Sequence, residues 1–337
     1  VNHADHTLSA GEAFACAIHD DGTLWCWGSN ESGQLGVGTT NDSAVPVQVG
    51  TDSDWVDISC GLDRACGLHG SYELDCWGDG VYGQLGSSLV TTSYVTTPVP
   101  VDQPSDWTGS THWAGLAQGI GNHACAIDSD GLAYCWGAND VGELGTGGGF
   151  ASSPSKVQGG PWSDIFTGLS HTCALSNSQV QCWGANEQGQ VQPGSSAYEV
   201  DTPAPVAVGS GWTSLALGLG YSCALGAKDR ILCWGGPWSE GEPIGAGKAW
   251  VTLSSAWSQS CARGADASVW CWQSGLDSTG VQTGPATPPA QIGAGTFWAD
   301  ISVGGEIACA VDAAGAVACW PLNSSSDASP TDNAAGY

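Results

Sequence analysis

The sequence predicts an all-β protein, a seven-bladed β-propeller with four short antiparallel strands per blade. Three observations lead there. A Cys-Trp dipeptide recurs seven times, at Cys26, Cys76, Cys135, Cys182, Cys233, Cys271 and Cys319. Another cysteine precedes each by nine or ten residues, at Cys16, Cys66, Cys125, Cys173, Cys223, Cys261 and Cys309. A second pattern, Trp-x-x-Ile/Leu-x-x-small, opens six of the seven units. The 51 glycines and 16 prolines supply the turns that many short strands require.

Each unit can be justified element by element. The opening pattern, as in Trp55-Ile58-Gly61 or Trp298-Ile301-Gly304, predicts the first strand, and the first copy is cut down to Leu8 and Gly11. A strand with the first cysteine follows, Ala15-Cys16-Ala17-Ile18, and after a turn comes Leu24-Trp25-Cys26-Trp27. Pairing Cys16 with Cys26 sets Ile18 opposite Leu24 and leaves Asp20-Asp21-Gly22 as the loop, a three-residue hairpin connection ending on glycine. The fourth unit is one residue shorter, so pairing Cys173 with Cys182 leaves a two-residue turn, Asn177-Ser178. Directly opposed residues on antiparallel strands lie within disulfide reach. Seven intra-blade disulfides are therefore expected, each worth about 2–3 kcal/mol for a loop of about eleven residues on the chain-entropy model. Next comes a loop, Gly33-Gln34-Leu35-Gly36, Gly83-Gln84-Leu85-Gly86 or Gly142-Glu143-Leu144-Gly145, which decays to Gly189-Gln190-Val191-Gln192. A proline-led strand closes the unit, at Pro46, Pro98, Pro154, Pro203 and Pro289.

The propeller is expected over residues 1–320, with residues 321–337 as a separate tail. The fifth unit is short and the seventh ends at Trp320 without loop or proline-led strand, so both are expected to lack an outer strand. The tail between Pro321 and Tyr337 is rich in Ser, Asp, Ala and Asn. It is read as completing the seventh blade or adding to the edge of a neighbouring molecule.

These residues resemble the regulator of chromosome condensation repeat. The Trp-x-x-Ile-x-x-Gly strand, His123-Ala124-Cys125-Ala126-Ile127, His171-Thr172-Cys173-Ala174-Leu175, Trp27-Gly28 and the Gly-Gln-Leu-Gly loops carry the resemblance, over residues 5–320. It implies the seven-bladed fold. The family's nuclear founder is an exchange factor that also binds chromatin. The cysteine pattern and acidic charge make this chain more similar to secreted, disulfide-rich bacterial members, one of which inhibits β-lactamases through loops on one face.

Composition excludes some functions. With 33 Asp plus Glu against six Lys plus Arg, the net charge of −27 repels a phosphate backbone, so nucleic acid is not an expected partner. No apolar run reaches the roughly 18 residues of a membrane span. The start at Val1 and the lack of methionine are read as an exported protein trimmed of its signal peptide, extracellular or at the cell surface. His123 and His171 share a repeat position with Phe14, Arg64, Tyr221, Gln259 and Ile307, so a structural role is expected for them. His3, His6 and His112 fall in irregular segments. No catalytic, cofactor-binding or metal-binding residue is assigned, and no cofactor is expected. Cys60 is the odd cysteine, read as a buried free thiol, an intermolecular bridge or a reactive thiol. Sequons stand at Asn30, Asn41 and Asn323, and Trp107, Trp238 and Trp257 are weighed as sugar-stacking residues against rim packing.

The leading expectation is a non-catalytic extracellular scaffold that self-associates, into a filament through terminal strand or tail exchange. The alternative is a monomeric secreted binding protein with a protein or glycan ligand, or a hydrolase inhibitor, acting through one face. Clustering of residues 87–95 and 147–153 on one face would favour the second.

Overall fold

The computed structural model describes residues 8–322 apart from 71, 91, 108–110, 228–229, 246, 278–279, 285 and 293–295. His3, His6, Asn323 and Tyr337 thus lie outside the described residues. Blade one contains β1 (Leu8–Ala10), β2 (Phe14–Ile18), β3 (Leu24–Gly28) and β4 (Ser43–Gln48). Blade two contains β5 (Trp55–Cys60), β6 (Arg64–His69), β7 (Glu73–Asp79) and β8 (Tyr94–Pro100). Blade three contains β9 (Trp113–Gln118), β10 (His123–Asp128), β11 (Ala133–Gly137) and β12 (Ala151–Lys156). Blade four contains β13 (Asp164–Thr167), β14 (His171–Ser176), β15 (Gln179–Ala185) and β16 (Glu199–Pro205). Blade five contains β17 (Trp212–Leu217), β18 (Ser222–Gly226), β19 (Arg230–Gly235) and β20 (Trp238–Ile244). Blade six contains β21 (Trp250–Ala256), β22 (Gln259–Gly264), β23 (Val269–Gln273) and β24 (Ala290–Ile292). Blade seven contains β25 (Trp298–Val303), β26 (Ile307–Asp312) and β27 (Val317–Pro321). Every sheet pairs its strands antiparallel and in chain order.

The hairpin registers follow the cysteines. Cys16 faces Cys26 and Ile18 faces Leu24. In blade four Ser176 faces Gln179, and Asn177 and Ser178 take positive φ of 51° and 59°, a two-residue turn matched to strand twist. All seven expected disulfides form, with Cα atoms 4.0–4.1 Å apart.

The fifth blade departs from expectation. Its outer strand β20 follows β19 directly through Gly236 and Pro237, with no intervening long loop, and pairs Leu232 with Pro243 and Cys233 with Glu242. Blade five is therefore complete. Blade seven alone has three strands among the described residues.

The apolar core lies between blades. One cluster joins Leu68, Cys76 and Leu85 of blade two to Trp113, Leu116 and Trp136 of blade three. Equivalent clusters fill the other six interfaces, including the closing one, where Leu8 and Trp27 meet Cys309 and Val317. The repeated motifs serve these interfaces. The indole N–H of Trp77, Trp136, Trp183 and Trp234 donates to the carbonyl of Gln34, Gln84, Glu143 and Gln190 in the preceding blade's loop, at 2.8–2.9 Å. The Gly-Gln-Leu-Gly loop is thus the socket for the next blade's Cys-Trp indole.

Ring closure uses the same means. Among the described residues no strand of blade one enters blade seven. Instead the Gly305 and Glu306 amides donate to the carbonyls of Gly11 and Glu12, and the Ala10 amide donates to Ser302 Oγ at 2.9 Å. Gly304 allows this approach, because a Cβ there would lie 1.7 Å from the Gly11 carbonyl oxygen. Ser254 and Ser9 repeat the serine bond, accepting from the amides of Val303 and Cys60.

Candidate interaction face

An antiparallel four-stranded meander puts its first and third connections at one end of the strands and its second at the other. Seven such blades give the ring two unlike faces. The loop face carries the short turns between first and second strands and the long loops between third and fourth. The hairpin face carries the Cys-to-Cys turns and the crossings to the next blade.

The loop face is anionic. Glu12, Glu31, Asp63, Asp79, Asp140, Glu143, Glu187 and Glu306 all lie in its turns and loops or at the strand ends beside them. Burial raises the Glu12 carboxyl above its ordinary range, and Asp63 and Glu306 nearby add to the rise. Asp63 is raised by burial first and by Asp79 second, and Glu143 chiefly by burial. Burial is the largest cause in all three, and neighbouring carboxylates add to it, with Arg64 offsetting part of the rise at Asp63. Among the described residues the exposed or half-exposed bases sit toward the hairpin face. Lys156 pairs with Asp106 at 3.1 Å, Arg230 lies over Trp212, Lys248 lies over Trp270, and Arg263 pairs with Val269 beside the hairpin turn.

The residues singled out in the sequence divide sharply. The histidine slot is an inter-blade clamp. Thr172 Oγ donates to the Glu143 carbonyl at 2.8 Å, so its lone pair receives the Nε2–H of His123 at 2.9 Å. His171, Ser222 and the Gln190 carbonyl repeat the chain. Burial pushes both histidines down to about 3, so both are neutral. In the same slot Arg64, buried, donates to the carbonyls of Gly121 and His123 at 2.6 and 2.9 Å. Burial lowers it to about 10, and it stays charged. Tyr221 reaches the Gln259 carbonyl, and Gln259 reaches that of Leu322. None of these groups is open to a substrate.

Cys60 is a buried free thiol beside the central channel, pushed up to about 12 by burial, which leaves it protonated and unreactive. Asn30 has no exposed side chain to glycosylate. Its amide donates to the Thr39 and Asn41 carbonyls, and its oxygen accepts from the Leu35 amide. Asn41 is exposed. Trp238 is buried, Trp107 stacks on Trp113 at 4.6 Å, and Trp257 is half-buried over Gly305, so the sugar-stacking reading has no exposed ring among the three. His112 stacks on Tyr72 on the hairpin face. The channel holds a cavity of about 610 Å³ walled by inner strands, with Ser9, Ser254 and Ser302 engaged in the inter-blade bonds above. Among the described residues no cluster of His, Cys, Asp or Glu is arranged to hold a metal, and no helix is long and apolar enough to cross a membrane.

The two long loops lie on adjacent blades and leave them on the same face, and each also reaches the crossing to the next blade, where Ser88 bonds Asp102 and Gly147 lies beside Gln158. Residues 87–95 belong to the loop before β8 and the start of β8, and residues 147–153 to the loop before β12 and the start of β12. This juxtaposition is the feature that loop length alone did not reveal.

The regulator of chromosome condensation (RCC1) repeat model matches residues 21–67 and 130–175, and a second model of the same repeat matches 6–34 and 116–143. A human relative, the E3 ubiquitin-protein ligase HERC2, is 28% identical over 182 residues, which is 52% of this chain and 4% of that protein. Prp20p from Saccharomyces cerevisiae superposes with a TM-score of 0.77 at 16% identity, covering 98% of this chain and 89% of that one. The ectodomain of the Physcomitrella patens receptor kinase CR4 superposes with a TM-score of 0.61 at 19% identity, covering 94% and 73%. Repeat matches, blade count and strand order agree: this chain is a seven-bladed propeller that carries RCC1 repeats in parts of its length, with a disulfide in every blade.

Proposed function

We propose that this chain is an exported, non-catalytic binding protein that engages a protein partner through the loop face of its ring. The observation that carries this reading is the placing of the long loops of blades two and three side by side, leaving their blades on a face where Glu31, Asp63, Asp79 and Asp140 also stand. Loops on a rigid frame are where binding residues concentrate, and seven disulfides make the frame rigid and suit an oxidising compartment. The similar folds include the yeast protein studied for binding Gsp1p and histones and a receptor ectodomain, so both protein binding and an extracellular setting have parallels on this architecture. The test places a photo-crosslinking amino acid at Glu187 on the loop face or at Asp130 on the hairpin face, in the protein's native fluid. A discrete protein adduct from Glu187 and none from Asp130 supports the reading. Equal adducts from both, or none from either, overturn it.

One observation favours self-association as a second reading. Blade seven has three strands among the described residues where every other blade has four. A fourth strand supplied by another copy would link rings head to tail. Sedimentation at rising concentration tests this: growth into polymers that stops when the chain is ended after Leu322 would establish it, and an unchanging monomer would discard it.

A further inference from the structure

We infer that an exposed apolar patch on blades two and three anchors the partner, and that this partner is a basic polypeptide segment carrying aromatic or aliphatic side chains. The inference rests on the loop face being the binding face and names what it binds.

The patch consists of Val81, Tyr82, Leu89, Tyr94 and Phe150, which are 60%, 46%, 67%, 44% and 60% exposed. Twelve large apolar side chains are exposed among the described residues, and these five share two neighbouring loops. Scattered exposed apolar residues need no explanation, whereas a contiguous set marks an interaction site. Phe150 reaches across the blade boundary, and a Cβ on Gly83 would come within 3.0 Å of its Cζ. Gly83 lies next to Tyr82 in a left-handed turn at φ 68°, so the Phe150 ring sits beside the Tyr82 loop.

The loop holding the patch is braced before anything binds. The Gly80 amide donates to the Ser93 carbonyl at 2.7 Å, tying the loop's two ends together. The Tyr82 amide donates to Gln84 Oε1, and Gln84 Nε2 donates to Asp79 Oδ2. Ser88 donates from both its amide and its hydroxyl to Asp102. Leu85 and Val90 pack inward, next to Gly80. Apolar side chains held out on a braced loop lose little entropy on binding, which is what an anchor requires.

Charge selects the partner. Asp79 pairs in register with Tyr94, Asp63 and Glu31 lie toward blade one, and Asp140 lies in the blade-three loop. Arg64, the described cation nearest this face, is buried and spent on backbone carbonyls. An acidic partner would meet repulsion, and a neutral one would leave the carboxylates to be desolvated unpaired, so the complementary surface is cationic. A second copy of this chain fits poorly, because its described bases are few and those other than Arg64 stand toward the other face, Lys156 paired, Arg230 and Lys248 over tryptophans and Arg263 beside a hairpin turn.

The test uses two synthetic peptides of equal length and charge, one of lysine and glycine and one of lysine and phenylalanine, titrated by calorimetry. The protein should prefer the phenylalanine peptide by about tenfold or more. Tyr82→Ser with Phe150→Ser should erase that preference and leave the melting temperature unchanged. Glu31→Gln with Asp140→Asn should weaken both peptides alike and reduce the salt dependence, while Asp20→Asn with Asp130→Asn on the hairpin face should change nothing. If the serine variant keeps the preference while the Glu31/Asp140 variant still loses affinity, the patch is refuted and the loop-face reading survives. If neither variant changes either peptide, both fail. Self-association abolished by the serine variant, with no peptide preference in the parent, would make a second copy the occupant and overturn the basic partner.

Discussion

Trp136 and Trp272 form a matched pair that isolates what the loop socket contributes. Both are buried, 1% and 2% exposed, both follow a disulfide cysteine, and each packs at a tilt on its blade's first-strand tryptophan, Trp113 at 6.1 Å and Trp250 at 6.5 Å. They differ in one bond. Trp136 donates to the Gln84 carbonyl, which has no other side-chain donor among the described residues, whereas the Trp272 N–H has no acceptor among them, blade five lacking the loop that would supply it. Trp136→Phe leaves a buried carbonyl unpaired, at about 1–3 kcal/mol. Trp272→Phe removes a buried donor that was already unpaired, recovering a penalty of the same size. The volume lost is alike at both sites, so the cavity costs nearly cancel. Trp136→Phe should therefore be the more destabilising by about 2–6 kcal/mol. For 337 residues the unfolding entropy is about 0.7 kcal/mol per kelvin, so the gap should appear in calorimetry as about 3–9 °C between the two melting temperatures. Equal melting temperatures, or a lower one for Trp272→Phe, would refute the socket argument.

Three further outcomes are expected. Gly86→Ala should cost more than Gly38→Ala: both take positive φ, 66° and 81°, but a Cβ at Gly86 lies 2.6 Å from Trp136 Nε1 and one at Gly38 meets nothing nearer than 3.9 Å, so urea midpoints should rank the two. His123 and His171 titrate near 3 when folded and near 6.5 when unfolded, so the unfolded chain gains protons first. Stability falls as pH drops through that window, by up to about 1.4 kcal/mol per pH unit for each histidine. Glu12, Asp63 and Glu143, with raised folded values, oppose this. Comparing the parent with His123→Gln plus His171→Gln therefore isolates the histidines, and an unchanged pH profile would refute their role. Without reductant, iodoacetamide should label Cys60 only after denaturation; labelling of the native protein, or none after unfolding, would contradict a buried free thiol.

The legible part of this molecule is what repeats. The Cys-to-Cys spacing set hairpin register because a one-residue slip would carry every side chain to the opposite face. The outer strand of blade five went unread because it lacks both marks used elsewhere: Pro46, Pro98, Pro154 and Pro203 sit inside their strands one residue before the partner of the second cysteine, not at the strand's start as expected, whereas Pro243 sits one residue after it, and no Gly-Gln-Leu-Gly loop precedes it. Gly235-Gly236-Pro237 was the available signal, a tight turn returning the chain at once. The apolar patch was unreadable for a different reason. Leu85 and Leu89 are four residues apart in one loop, yet one is 1% exposed and the other 67%. Burial there depends on whether a neighbouring blade arrives, and local composition does not encode that.

The histidine slot shows how the repeat divides labour between fold and function. Its occupants look unrelated along the chain, but each suits the residue it meets in the next blade. His123, His171 and Tyr221 meet the hydroxyls of Thr172, Ser222 and Ser260, while Arg64 meets Ala124 and turns to backbone carbonyls. Where blade seven meets blade one and blade one meets blade two the slot is apolar, Ile307 and Phe14 having Ala15 and Ala65 at the next blade's partner position. There the polar link between blades passes to the channel, through Ser302 to Ala10 and Ser9 to Cys60. A buried polar group is tolerated only with its partner, so each slot residue is constrained by its neighbour. The tips of the long loops meet no such partner. Residues there, Tyr82 and Phe150 among them, are free to vary without opening the ring, which makes them the positions where one propeller can come to bind what another does not.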